Sequence, residues 1–317
     1  MKRGIILRIL TLMLAVTALA GLCAPAAFAD NAKSSAKTEK DASTTAKSAY
    51  KEPETHPKIT VKAGDTWEEI TEKFLEEYEN DKISCSITLG YRNLVTGEEH
   101  FYKGDEYMVA CSMYKVPLNM CFAEKIYNGE MDWDTEIGAQ PYSELMRRSI
   151  VESSNEPSEH LFRLLGGYRS YRVAISEYMG VDPDNVDDLY YLNNYFTAEQ
   201  EIHCLKTLYE GGERFPGIID AMREAEPEEY FNHHEQEFDI AHKYGIMRDT
   251  MDGYKTYIND SAIVYTDEPI AIVMFTYNVY DAREALADYC TLMCDYAQLN
   301  VQKETATKTA ALGSSKK

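Results

Sequence analysis

The strand-like segments of this chain fall into two groups far apart in sequence, and that spacing constrains the fold more than any other feature. Residues 83–92 and 98–102 alternate apolar and polar positions around Thr96-Gly97, as the arms of a β-hairpin do. The next β-rich segments are 239–245, 256–266 and 269–277. From about 128 to 226 the periodicity is helical, punctuated by Gly166-Gly167, Gly180 and Gly211-Gly212. Further helical patterns cover about 65–80, 112–127 and 281–299. The order predicts an α/β fold: a five-stranded antiparallel sheet assembled from both ends of the domain, flanked by helices, with an all-helical lobe (about 128–226) inserted between strands. A cleft between sheet and lobe is where a substrate would sit.

The first helix is expected to be capped by Asp65, with Trp67, Ile70, Phe74, Leu75 and Tyr78 on one face. The stretch 59–66 resembles the start of a lysin-motif peptidoglycan module, but the helix runs straight into the next strand and leaves no room for the rest.

Composition changes sharply at both ends. Lys2, Arg3 and Arg8, the apolar run from Ile9 to Leu22 and the small-residue exit Ala27-Phe28-Ala29 form a secretory signal, so the mature chain is expected to begin at Asp30. The apolar run is too short to span a bilayer of about 20 helical residues, so an integral membrane protein is not expected. Residues 30–58 and 301–317 are poor in large apolar side chains and read as a flexible tether and tail. The domain proper is then 59–300, and the product is expected in the cell envelope or medium. The net charge is −21, becoming −24 without the signal's cations, which excludes nucleic acid and anionic membranes as natural partners. Six cysteines remain beyond the signal, with no CxxC pair. Export permits disulfides without requiring them; Cys290 and Cys294, four apart on a helix, read as packing residues. No cofactor or metal is expected. His233-His234-Glu235 with His242 lacks the helical His-Glu-x-x-His spacing and reads as a solvated acidic loop, and His160 and His203 read as packed or hydrogen-bonded residues.

A serine hydroxyl needs a neighbouring base before it can attack, and Ser112-Met-Tyr-Lys115 places an amine three residues on, on the same helical face. Two further clusters follow in order: Ser153-Ser154-Asn155 in the helical insert and Lys243-Tyr244-Gly245 on a strand near the end of the sheet. Together with the flanks 153–162 and 258–265, they make the chain resemble, over most of 83–300, the class A β-lactamase and penicillin-binding serine hydrolase superfamily, whose motifs are Ser-x-x-Lys, Ser-Asp-Asn and Lys-Thr-Gly.

The resemblance implies an acyl-enzyme mechanism. Ser112 would be the nucleophile and Lys115 its base, kept neutral partly by repulsion from Lys243. Ser153 would relay a proton to the leaving nitrogen, and Asn155 would hold Lys115 and the substrate amide. Lys243 would meet a substrate carboxylate, with Tyr244 and Gly245 lining the substrate site. Backbone N–H groups of Ser112 and Ile246 would form the oxyanion hole, each donor contributing about 3 kcal/mol. The expected substrate is a β-lactam or a D-alanyl peptide, handled by a monomer.

Three departures qualify the pattern. Ser154 replaces the usual aspartate, a modest change. Tyr244 replaces a short hydroxyl with a bulky ring that reshapes the acid-binding end of the pocket. The glutamate of a Glu-x-x-Leu-Asn loop is missing: Leu192-Asn193 matches the loop's end, the acid position is then Leu189, and Asp188 lies one residue out of register. The expectation is slow deacylation, closer to a D,D-peptidase than to an antibiotic-destroying enzyme. A non-catalytic envelope binding protein that keeps the fold while Tyr244 closes the pocket is the competing reading, separated by whether Ser112 forms a covalent adduct.

Overall fold

The computed structural model describes residues 57–79, 85–184, 190–191, 194–227, 229–234, 237–248 and 256–314, with side chains through residue 301. These residues belong to one unit spanning 53–317. The signal 1–29, nearly all of the tether 30–58, Asp188, Leu189 and Leu192-Asn193 lie outside the described residues.

In chain order the strands are β1 (Ser86–Asn93), β2 (Glu99–Tyr102), β3 (Met108–Val109), β4 (Glu136–Ile137), β5 (Gln140–Pro141), β6 (Tyr195–Phe196), β7 (Ile240–Arg248), β8 (Thr256–Val264) and β9 (Ile270–Tyr277). The helices are α1 (Trp67–Tyr78), α2 (Lys115–Tyr127), α3 (Tyr142–Ile150), α4 (Asn155–Leu164), α5 (Tyr168–Ala174), α6 (Ala198–Gly211), α7 (Ile218–Arg223) and α8 (Ala282–Ser314). Five strands form one sheet in the order β2-β1-β9-β8-β7, antiparallel throughout. The remaining four make two small ribbons, β3 with β6 and β4 with β5.

The sheet is covered on both faces, which is why its central strand, β9, is buried along all but its last residue. Ile270, Ile272 and Met274 of β9 join Ile87, Leu89 and Tyr91 of β1 in a core completed by α1 and α8. Ala271, Val273 and Phe275, on the opposite face, join the core of α2, α3, α6 and α7. The period-two alternation of a strand feeds both cores at once. The α/β architecture expected from the strand spacing is therefore the one observed.

Three local boundaries differ from the sequence expectation. The cap of α1 is Thr66, not Asp65: the Thr66 hydroxyl accepts from Glu69 N and the Glu69 carboxylate accepts from Thr66 N, a reciprocal capping box. Asp65 instead accepts from Lys62 N in the preceding turn. Second, α2 starts at Lys115, after a 3₁₀ turn over Cys111–Tyr114. A helix beginning at Ser112 would put Pro117 beyond its first turn, where a backbone N–H is needed; from Lys115 onwards the proline falls within it and costs nothing. Third, α8 continues past Leu299 to Ser314, into the segment expected to be a tail. Gln302, Lys303, Glu304, Ala306, Lys308 and Ala310 are good helix formers, and a docked helix propagates through such residues without an apolar face.

Candidate active site

Ser112 lies in the 3₁₀ turn that joins β3 to α2, and the turn is held from three sides. Asn194 accepts from Ala110 N at 2.9 Å and donates its side-chain amide to Cys111 O at 2.7 Å. Buried Asn259 of β8 donates to Val109 O at 2.7 Å. On the third side is β7: a Cβ on Gly245 would meet Cys111 Cβ and Ser112 N at 2.7 Å each, so only glycine lets the strand lie this close. As the sheet's edge strand, β7 leaves part of its backbone without ladder partners. Ile246, whose N–H is the second expected oxyanion donor, follows Gly245 there, with its side chain 44% exposed.

The other motif residues meet beside this turn. Lys115 is completely buried, and its Nζ donates to Ser153 O at 2.5 Å and to Asn155 Oδ1 at 2.9 Å. Lys243, equally buried, donates to Ser153 Oγ at 2.9 Å and Tyr244 O at 3.1 Å. Ser153 is thus the junction between two ammonium groups. It has φ +55°, and Cys111, just before Ser112, has φ +51°; both are costly for residues other than glycine, and such strain gathers at functional sites.

Burial, the larger effect, pulls Lys115 down to about 8, while the Glu159 carboxylate one turn beyond Asn155 acts to raise it. Lys243 falls further, to about 7, through burial first and repulsion from Lys115 second. Repulsion between the two cations is mutual, and for both lysines burial is the larger cause. Ser112 accordingly lies three residues before a lysine whose amine sheds its proton near neutrality.

A buried polar chain that the motifs do not reveal positions the second cluster. Asn119 of α2 donates to Ser149 Oγ of α3 at 2.9 Å, Ser149 meets Ser158 Oγ of α4 at 2.8 Å, and Ser158 donates to Ser154 O at 2.8 Å. Because the Ser158 proton goes to Ser154, Ser149 must donate to Ser158, and every hydroxyl in the chain is used. On the far side, fully buried Arg172 donates to Tyr190 O at 2.7 Å and Tyr195 O at 3.0 Å, fastening both flanks of the segment around residue 192.

The ring of Tyr244 is packed down beside Lys243 and is nearly buried. It stacks on Tyr230 at 4.7 Å between centroids, its hydroxyl donates to Glu226 O at 2.6 Å, and Lys243 Nζ lies 4.1 Å from the ring centre. Beside the Ser112 turn, a pocket of about 220 Å³ is walled by Tyr114, Phe162, Tyr168 and Tyr171, with Glu159 and Asn194 contributing its polar groups. A larger cavity, about 730 Å³, lies elsewhere, between Phe101, Gly180, Glu199 and His203, and includes none of the motif residues.

The histidines take other roles. His242 Nδ1 pairs with Asp260 at 2.8 Å inside the sheet, and His203 Nδ1 with Tyr178 O at 3.0 Å. His234 reaches Glu284 at 2.8 Å and Asp288 at 3.4 Å, with Tyr78 OH donating to Asp288 at 2.6 Å, so it docks on α8 instead of standing in solvent. Cys290 and Cys294 are buried free thiols in the α1–α8 core. Among the described residues, no helix is long and apolar enough to cross a membrane.

Known proteins supply an independent comparison. The model of the β-lactamase enzyme family matches residues 68–291. A β-lactamase from Chitinophaga pinensis is similar in structure, with 19% identity, 71% of this chain and 97% of that one covered, and a TM-score of 0.58. A β-lactamase from Xanthomonas campestris pv. campestris gives 14% identity, 68% and 93% coverage and a TM-score of 0.55. The class A β-lactamase of the last common ancestor of Gram-negative bacteria gives 17%, 72%, 98% and 0.58. No curated protein matches the chain. With the family model spanning more than half of the sequence and the same fold in these solved structures, the chain belongs to the β-lactamase enzyme family, within the β-lactamase-like serine hydrolase superfamily.

Proposed function

We propose that the protein is an exported serine hydrolase that works through an acyl-enzyme on Ser112, with a β-lactam or D-alanyl peptide carbonyl as the electrophile. The observation that carries this reading is the position of Ser153, whose carbonyl accepts from Lys115 and whose hydroxyl accepts from Lys243. In the forward step a bond forms from Ser112 Oγ to the carbonyl carbon as the serine proton passes to Lys115 Nζ. The carbon–nitrogen bond then breaks, and the leaving nitrogen takes a proton through Ser153. Asn155 holds the Lys115 amine and the substrate amide; Gly245 and Tyr244 wall the cleft; the N–H groups of Ser112 and Ile246 receive the oxyanion. Water then replaces the enzyme on the acyl carbon and the proton returns to Ser112 Oγ. The domain spans 59–300 and acts as a monomer after cleavage near Ala29-Asp30.

Deacylation is proposed to be slow. The acid of a Glu-x-x-Leu-Asn loop is absent, and Glu159, whose charge acts on Lys115, belongs to a different element and is largely exposed. The test is intact mass spectrometry after mixing with a penicillin or an N-acyl-D-alanyl ester. The expected result is an adduct that forms within minutes, persists, and is missing in Ser112→Ala. No adduct with either compound would favour the non-catalytic envelope binder instead.

A further inference from the structure

A substrate carboxylate can be received only where hydrogen-bond donors are free to meet it. Lys243 is the cation positioned for that task, yet it has no exposed surface, and its ammonium is taken up by Ser153 Oγ, Tyr244 O and the face of the Tyr244 ring. The side chain next to it contributes no donor either, since the Tyr244 hydroxyl spends its proton on Glu226 O. Stacking on Tyr230 holds the ring in that position, and the side chain is only 8% exposed. An incoming carboxylate would lose its water and find these donors engaged; an ester or amide of the same shape carries no such penalty.

We infer that this cleft selects acyl donors whose leaving-group end is uncharged, an ester or an amide rather than a free carboxylate. The inference rests on the acyl-transfer reading of Ser112 and narrows its substrate class. Within β-lactams and D-alanyl peptides it favours those in which the carboxyl beyond the scissile bond is itself amidated or esterified. Tyr244 is the residue that imposes the choice, by covering Lys243.

The test uses the mature full-length protein and two thioesters that differ by one charge. Both are N-acyl-D-alanyl thioesters of thioglycolic acid, one with its carboxyl free and the other with it converted to the methyl amide. Thiol release gives kcat/KM for each. The amide form should be faster by at least about tenfold, the size of one charge-assisted hydrogen bond that the acid cannot make. In Tyr244→Thr, which uncovers Lys243, that ratio should fall at least fivefold, roughly half of such a bond; Tyr244→Phe, which keeps the ring, should retain it. An acid form turned over as fast as the amide, or a ratio that Tyr244→Thr leaves unmoved, overturns the inference. A lack of Ser112-dependent thiol release from either thioester overturns the acyl-transfer reading beneath it, which is a separate outcome.

Discussion

At the scale of single residues, the proposed chemistry rests on two buried lysines on either side of one serine, Ser153. With Lys115 lowered to about 8, roughly one molecule in ten has the neutral amine at pH 7. Acylation should therefore climb with pH between about 6 and 8 and level off above, which a kcat/KM profile on a neutral ester would measure; a flat profile would contradict Lys115 as the base. Glu159 raises the affinity of that amine for its proton, so Glu159→Gln should move the rising limb to lower pH. A shift to higher pH would count against it. Ser112, Lys115, Ser153, Asn155 and Lys243 could be proposed from the sequence because the chemistry proposed for them requires those residue types in short local motifs. Asn119, Asn194, Asn259, Ser149 and Ser158 were not, since a buried amide or hydroxyl acquires its role only from groups that the fold brings to it.

The elements that carry these side chains explain how far the local pattern could be read. Strand type and order followed from alternation and from the long helical gap, whereas helix starts depended on competition between neighbouring caps. Thr66 prevails over Asp65 because Glu69 lies at the spacing that completes a capping box. Thr66→Ala should cost about 1 kcal/mol in chemical denaturation. Gly245 lies tightly against the turn that carries Ser112. Gly245→Ala should push β7 off Ser112 and lower the acylation rate by more than about tenfold, a loss of over 1.4 kcal/mol in transition-state stabilisation. Unchanged acylation in a folded Gly245→Ala protein would mean that this contact does not shape the site.

For the whole molecule, Glu201 is among the buried acids that the proposed mechanism does not use. Glu201 of α6 is fully buried; Ser261 of β8 donates to one carboxylate oxygen at 2.8 Å, and the other has no hydrogen-bond partner among the described residues. Burial raises this carboxyl from 4.5 to about 7. The folded state then binds more protons than the unfolded state between those values, so stability declines as pH rises from about 4.5 to 7, by of order 3 kcal/mol. Glu201→Gln, which retains an acceptor for Ser261, should flatten that part of the Tm profile, and an unchanged slope would contradict the assignment. The sheet's composition from both ends of the chain could be read from sequence, but not this acid: an amphipathic helix pattern does not say which of its polar residues the next layer will cover.

Acylation of Ser112 is tested by locating the acyl group after reaction with the neutral thioester. Proteolysis and fragment-ion mass spectrometry of the trapped adduct should place the added mass on Ser112 alone, with none in Ser112→Ala. An acyl group on any other residue, or equal labelling in Ser112→Ala, would rule out Ser112 as the acylated group.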